Sequence, residues 1–155
     1  MRIFRKFRLL VLMSLISLVL GFGKTALADD IILNNLNGQA VNLSHSEGKP
    51  VIFLFWTTWC SYCRKELKVL NQLYPQLEKE GITLFAVNIG EPDYRVIKFV
   101  KDYALIFNVL LDKTGGMADQ FNVIGVPTYV LLNKSGERVV QDNELPKDYK
   151  NLLFR

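Results

Sequence analysis

The chain predicts an α/β domain, a mixed central β-sheet flanked by helices on both faces. Three observations lead there. A continuous apolar run of strand length, Val51–Trp56, suits a strand covered on both sides, and the largely apolar Ile82–Ile89 reads as a second buried strand. Each is followed by a segment with apolar residues at three- and four-residue steps, the alternation that builds strands and helices into layers. The chain then closes with a strand, a turn, a second strand and a helical stretch, which adds antiparallel pairing to the sheet.

Taken in order, Ile31–Leu43 mixes apolar residues with Asn and Gly and reads as an N-terminal β-hairpin or extended lead-in. Val51–Trp56, entered through Pro50, is the first buried strand. Cys63, Leu67, Leu70, Tyr74 and Leu77 then mark a helix that stops at Gly81, with Pro75 expected to kink or divide it. Ile82–Ile89 is the second buried strand. Val96, Phe99, Val100 and Tyr103 mark an amphipathic helix after Pro92, and Asn108–Leu111 is a short strand. A short helix over Thr114–Phe121 has Thr114 as its candidate cap. Tyr129–Leu132 and Glu137–Gln141 form a hairpin about the turn Asn133-Lys134-Ser135-Gly136, and Pro146–Phe154 is the last helix.

The start of the chain stands apart from this pattern. Arg2, Arg5, Lys6 and Arg8 precede an apolar run from Leu9 to Phe22, and Ala26-Leu27-Ala28 leads into Asp29-Asp30. A basic head, a short greasy middle and a small-x-small exit describe a secretory signal. Residues 1–28 are therefore expected to be a signal peptide cut near Ala28, or a membrane anchor kept through residues 9–25. Either way the rest, 29–155, is one exported domain, in the periplasm or on the outer face of the cytoplasmic membrane. The net charge of +4 is misleading, because five of the 19 Lys and Arg lie before Asp29 and leave 14 against 15 acidic residues. A near-neutral domain without a basic stripe gives no basis for nucleic-acid binding.

The two cysteines, Cys60 and Cys63, are the chemical signal. In an exported protein two cysteines usually pair. A loop this small constrains the unfolded chain little, so chemistry explains the pair better than stapling. Cys60 falls at the strand-to-helix junction and Cys63 one turn on, within disulfide reach. The helix start offers unpaired N–H groups and a partial positive charge, which favours a thiolate at Cys60 and lowers its pKa below the free value of ~8.5. Cys63 is expected to be the shielded, resolving sulfur. Zinc wants four ligands, and two cysteines with the single His45 do not supply them, so no metal and no other cofactor is expected.

The stretch Phe55-Trp56-Thr57-Thr58-Trp59-Cys60-Ser61-Tyr62-Cys63-Arg64-Lys65-Glu66 resembles the active-site strand and helix of the thioredoxin superfamily, closest to its exported TlpA/ResA-type thiol–disulfide oxidoreductases. Ala86-Val87-Asn88-Ile89-Gly90-Glu91 and Phe121-Asn122-Val123-Ile124-Gly125-Val126-Pro127-Thr128 agree with it, in the same order, over about Leu36 to Gln141. A lone C-x-x-C is a weak signal; one behind an apolar strand with Gly-Val-Pro-Thr 65 residues on is strong. The resemblance implies a thioredoxin-like fold with a βα insertion of the TlpA/ResA type. It implies a redox disulfide Cys60–Cys63 and a cis Pro127 against it, with the Val126 backbone turned outward to pair with an extended partner. It carries a functional glutamate onto Glu66, set against the plainer reading of a solvated helix charge. Trp59 is expected to edge the site and Trp56 to be core. Tyr62 either offers a partner a stacking surface or shields Cys63.

Some positions depart from the family pattern. Lys68 stands where proline is frequent, and Leu54 stands where cytoplasmic thioredoxins bury an aspartate, which leaves Glu66 as the better proton acceptor. His45 is expected to face solvent, and Glu91 to be a turn and helix-start residue. The reading reached is a monomeric thiol–disulfide oxidoreductase that reduces protein disulfides, of the cytochrome c maturation type or similar, supplied with electrons by a membrane thiol carrier. The alternatives are a peroxiredoxin-like peroxidase and a redox-silent binding domain with a structural disulfide. The peroxidase signature Pro-x-x-x-Thr-x-x-Cys keeps Thr57 but has Phe53 at the proline position.

Overall fold

The computed structural model describes residues 31–43 and 48–155, so the N-terminal signal or anchor and His45 lie outside the described residues. The elements are β1 (Ile32–Asn35), β2 (Ala40–Asn42), β3 (Val51–Trp56), α1 (Ser61–Lys79), β4 (Thr83–Ile89), α2 (Asp93–Asp102), β5 (Asn108–Asp112), α3 (Gly116–Gln120), β6 (Thr128–Leu132), β7 (Arg138–Asp142) and α4 (Tyr149–Leu153). They form one seven-stranded sheet in the order β2-β1-β5-β4-β3-β6-β7. β3, β4 and β5 run parallel, and β1–β2, β1–β5, β3–β6 and β6–β7 are antiparallel. This is the mixed, thioredoxin-like sheet that the sequence implied, with β1–β2 as the N-terminal hairpin and α2–β5 as the βα insertion. Among the described residues no helix is long and apolar enough to cross a membrane.

β3 is central and buried at every residue. Its side chains alternate between two cores. Ile52, Leu54 and Trp56 face Leu67, Leu70 and Leu77 of α1, Val96 and Phe99 of α2, and Leu153 of α4. Val51, Phe53 and Phe55 face Met117 and Ala118 of α3 together with Phe121. Helices therefore cover both faces, as expected. Trp56 is wholly buried and packs its ring 5.1 Å from that of Phe99.

Three local expectations are corrected. Pro75 lies inside α1 and does not divide it. Proline removes one backbone bond and crowds the preceding turn, but buried Leu70 and Leu77 bracket it and hold both halves of the helix on the sheet. Thr114 does not cap α3. The cap is Gly115, in the left-handed region at φ 77°, with no side-chain cap bond. The buried Asp112 carboxylate instead accepts from the Ala118 N–H at 2.9 Å, reaching into the helix from the end of β5. The final helix also starts later than Pro146, at Tyr149.

Candidate redox site

The site forms where β3 ends and α1 begins. Cys60 is the residue before the helix, with extended backbone at φ −76° and ψ 114°, and its Sγ accepts from the Cys63 N–H at 3.0 Å. The sulfur therefore occupies the place of an oxygen cap, taking one of the orphan donors at the positive end of a 19-residue helix. Cys60 keeps 7% of its surface exposed, whereas Cys63 has none. The two are joined by a disulfide with a Cα–Cα distance of 5.2 Å. The geometry thus gives one sulfur that solvent and a partner can reach and one that is enclosed.

Strand β6 supplies the opposite wall. The Val126–Pro127 peptide is cis, and the Val126 carbonyl oxygen stands 3.6 Å from Cys60 Sγ. Thr128 Oγ1 donates back to the Gly125 carbonyl at 2.7 Å and ties off this turn. Beside it opens a cavity of about 390 Å³, lined by Tyr62, Glu66, Val126, Pro127, Asn143 and Glu144. The helix thus brings Tyr62 and Glu66 round to the same cavity that the cis-proline turn borders. Tyr62 is 69% exposed and lines this cavity. Trp59 is 68% exposed and borders no part of that cavity.

Glu66 is half-buried and accepts from the Tyr129 hydroxyl at 2.8 Å. Tyr129 has no exposed surface. Burial, followed by the Glu66 charge and hydrogen bond, pushes its phenol far above the ordinary value, so it remains a donor at any working pH. The helix carboxylate is thus anchored to β6 from below. Sequence reading named Glu66 and missed Tyr129, whose signal was only a tyrosine in an otherwise aliphatic strand.

A second carboxylate was read too lightly. Glu91 is 6% exposed and lies under the loop that leads to Cys60. Gly90, in the left-handed region at φ 67°, turns the chain at the end of β4 so that Glu91 points back beneath that loop. Glu91 accepts from the Thr58 N–H and the Thr58 hydroxyl, each at 2.6 Å, and from Asn88 Nδ2 at 2.8 Å. Arg95 stands 3.7 Å away. Burial alone raises its pKa, but the Asn88, Thr58 and Arg95 contacts outweigh it and hold the carboxyl below its ordinary value. It sits at the turn before α2, as expected, but as a buried anion.

Known proteins place this arrangement. A model of the AhpC/TSA family matches residues 25–140. The thiol–disulfide oxidoreductase ResA of Geobacillus kaustophilus (strain HTA426) is 39% identical over 110 residues, covering 71% of this chain and 63% of that protein. ResA of Bacillus subtilis (strain 168) is 34% identical over 131 residues, covering 81% and 73%. The crystal structure of StoA from Bacillus subtilis superposes with a TM-score of 0.67 at 27% identity, covering 82% of this chain and 95% of that one. The chain thus spans just under two thirds of the first relative and nearly three quarters of the second. With the family model over most of its length and ResA proteins similar to it at 34–39% identity, the chain belongs to the AhpC/TSA family.

Proposed function

We propose that this protein is an extracytoplasmic thiol–disulfide oxidoreductase that reduces protein disulfides through Cys60 and Cys63. The observation that carries the reading is the Cys60 sulfur in the capping position of α1, taking the Cys63 N–H at 3.0 Å while 7% exposed. A thiolate there is stabilised by the helix end and by that donor, and it is the thiolate that attacks disulfides. The basic head and apolar run of residues 1–28 support export, by a cleaved signal or a retained anchor.

In the reduced protein, the Cys60 thiolate attacks one sulfur of a partner disulfide. A mixed disulfide forms and the partner's other sulfur leaves as a thiolate. Cys63 then loses its proton and attacks Cys60 Sγ, the mixed disulfide breaks, and the partner departs as a dithiol with two electrons. Glu66, one turn beyond Cys63 on the cavity wall, is the proton acceptor for that second step. The Val126 carbonyl beside Cys60 and the Pro127 turn offer backbone pairing to an extended partner, while the exposed rings of Trp59 and Tyr62 give it apolar contact. A membrane thiol carrier returns the protein to the dithiol state. Partners are cysteine-containing proteins outside the cytoplasm, apocytochrome c being one substrate of the family, and the protein acts as a monomer.

Trapping tests the assignment. Cys63→Ser leaves the mixed disulfide unresolved, so partners accumulate covalently on Cys60 and are released by dithiothreitol. Capture disappears with Cys60→Ser. Capture by Cys60→Ser instead reverses the two roles, and capture by neither removes the function.

A further inference from the structure

We propose that Glu91 is a positioning residue for Trp59: by gripping Thr58 it fixes the indole that a protein partner meets beside Cys60. The proposal rests on the reading of Trp59 as partner-facing and adds the device that holds it there.

The residues of the loop are held in different ways. Cys60 is secured by its own bonds: its sulfur accepts from the Cys63 N–H, its carbonyl accepts from the Arg64 N–H at 3.2 Å, and its N–H donates to the Thr57 carbonyl at 3.4 Å. Trp59 has nothing comparable. Among the described residues no hydrogen bond or ring contact holds its side chain, and it is 68% exposed. What is held is the backbone just before it. Thr58 is held on both sides, with its N–H and hydroxyl on the Glu91 carboxylate and its carbonyl on Arg64 Nη1 at 3.1 Å. Glu91 spans 33 residues to make this grip and pins the loop after β3 to the end of β4.

A merely structural role accounts poorly for the chemistry of the grip. A buried carboxylate is an expensive anchor. Asn88 donates an amide hydrogen to Glu91 and leaves its own Oδ1 buried without a partner among the described residues. Neighbouring Thr57 likewise leaves its hydroxyl buried and unpartnered. Stability is forgone on both residues beside a loop whose only large exposed side chain is Trp59. Charged acceptors make shorter and stiffer bonds than neutral ones, which suits a group that must hold one placement. Misplacement of a positioning element by about 1 Å costs up to ~100-fold in rate.

The test compares reduced wild type, Glu91→Gln, Thr58→Val and Trp59→Ala in two reactions: reduction of insulin, a protein disulfide, and reduction of a small aromatic disulfide. A glutamine offers one acceptor oxygen where the carboxylate used two. The ratio of the insulin rate to the small-disulfide rate is expected to fall about tenfold in Glu91→Gln, and by less in Thr58→Val, which keeps the backbone bond. In a Trp56→Phe background, leaving Trp59 as the one indole, Glu91→Gln is expected to speed the local anisotropy decay. An unchanged decay, or an unchanged ratio in both Glu91→Gln and Thr58→Val where Trp59→Ala lowers it, overturns the proposal. If Trp59→Ala leaves the ratio intact, the partner-facing reading of Trp59 fails, and the decay alone decides whether Glu91 holds the indole. If Glu91→Gln fails to fold, Thr58→Val carries both measurements.

Discussion

Replacing Tyr129 by Phe removes one oxygen and nothing else from the floor of the site, so its consequence can be worked closely. The hydroxyl donates to Glu66 at 2.8 Å from a side chain with no exposed surface. A hydrogen bond to a charged group contributes about 1.5–3 kcal/mol net. Glu66 is half-buried and opens onto the cavity, where water can take the vacated lone pair, so the lower end applies. Tyr129→Phe is expected to lower unfolding stability by about 1–2 kcal/mol. The assay is urea denaturation of the oxidised protein, with wild type, Tyr129→Phe, Glu66→Ala and the double variant forming a cycle. Two residues in direct contact are expected to show a coupling of about 1 kcal/mol. Strict additivity would refute the reasoning: the carboxylate would then not be tied to β6, and its placement for proton transfer would lose its physical cause.

Other expectations follow from the same contacts. Glu91 is held below its ordinary carboxyl value, so its charged-state contacts stabilise the fold above the unfolded value of ~4.3 and fade as pH falls through the lower folded value. Urea midpoints measured from pH 6 down to 3 should therefore fall less steeply in Glu91→Gln than in wild type, and equal slopes would remove the buried anion. Phe53 is 2% exposed, with ring centroids 5.8 Å from Phe85 and 5.7 Å from Phe121, so Phe53→Ala should cost about 3–5 kcal/mol by the same assay. In the reduced protein Cys60 should react with iodoacetamide at neutral pH at least about tenfold faster than Cys63, because only Cys60 combines exposure with a capping donor. Peptide mapping after a brief pulse reads this directly, and equal labelling would count against the division of roles.

Much of this architecture was legible because it rests on local pattern. Val51–Trp56 is apolar at every position and is buried at every position, and the hairpin partners and the C-x-x-C helix follow from spacing and turn chemistry. The cysteine pair was legible for the same reason: two sulfurs one helical turn apart behind a buried strand leave little else to do. What escaped depends on partners far along the chain. Tyr129 reaches Glu66 across 63 residues, and Glu91 reaches Thr58 across 33. No periodicity reports such a bond. Glu91 looked like a turn residue because it follows Gly90, and only the pairing of β4 beside β3 reveals that the turn folds back under the active-site loop. Asp112 displaced Thr114 as the group that serves α3 for a related reason: the strand end lies closer to the helix donors than the sequence order implies. Pro75 was overestimated because helix propensity is weak against two flanking buried leucines.

The central claim is reversible exchange at one capped sulfur, and a redox titration reads it most directly. Purified protein is equilibrated in dithiothreitol and glutathione buffers of graded potential, alkylated, and weighed to count free thiols on Cys60 and Cys63. The account predicts a single reversible two-electron transition lying nearer the thioredoxin value of about −270 mV than the value of about −120 mV of a strong oxidant. A pair that stays bridged across the whole range, or one that titrates at the oxidising end, would contradict it.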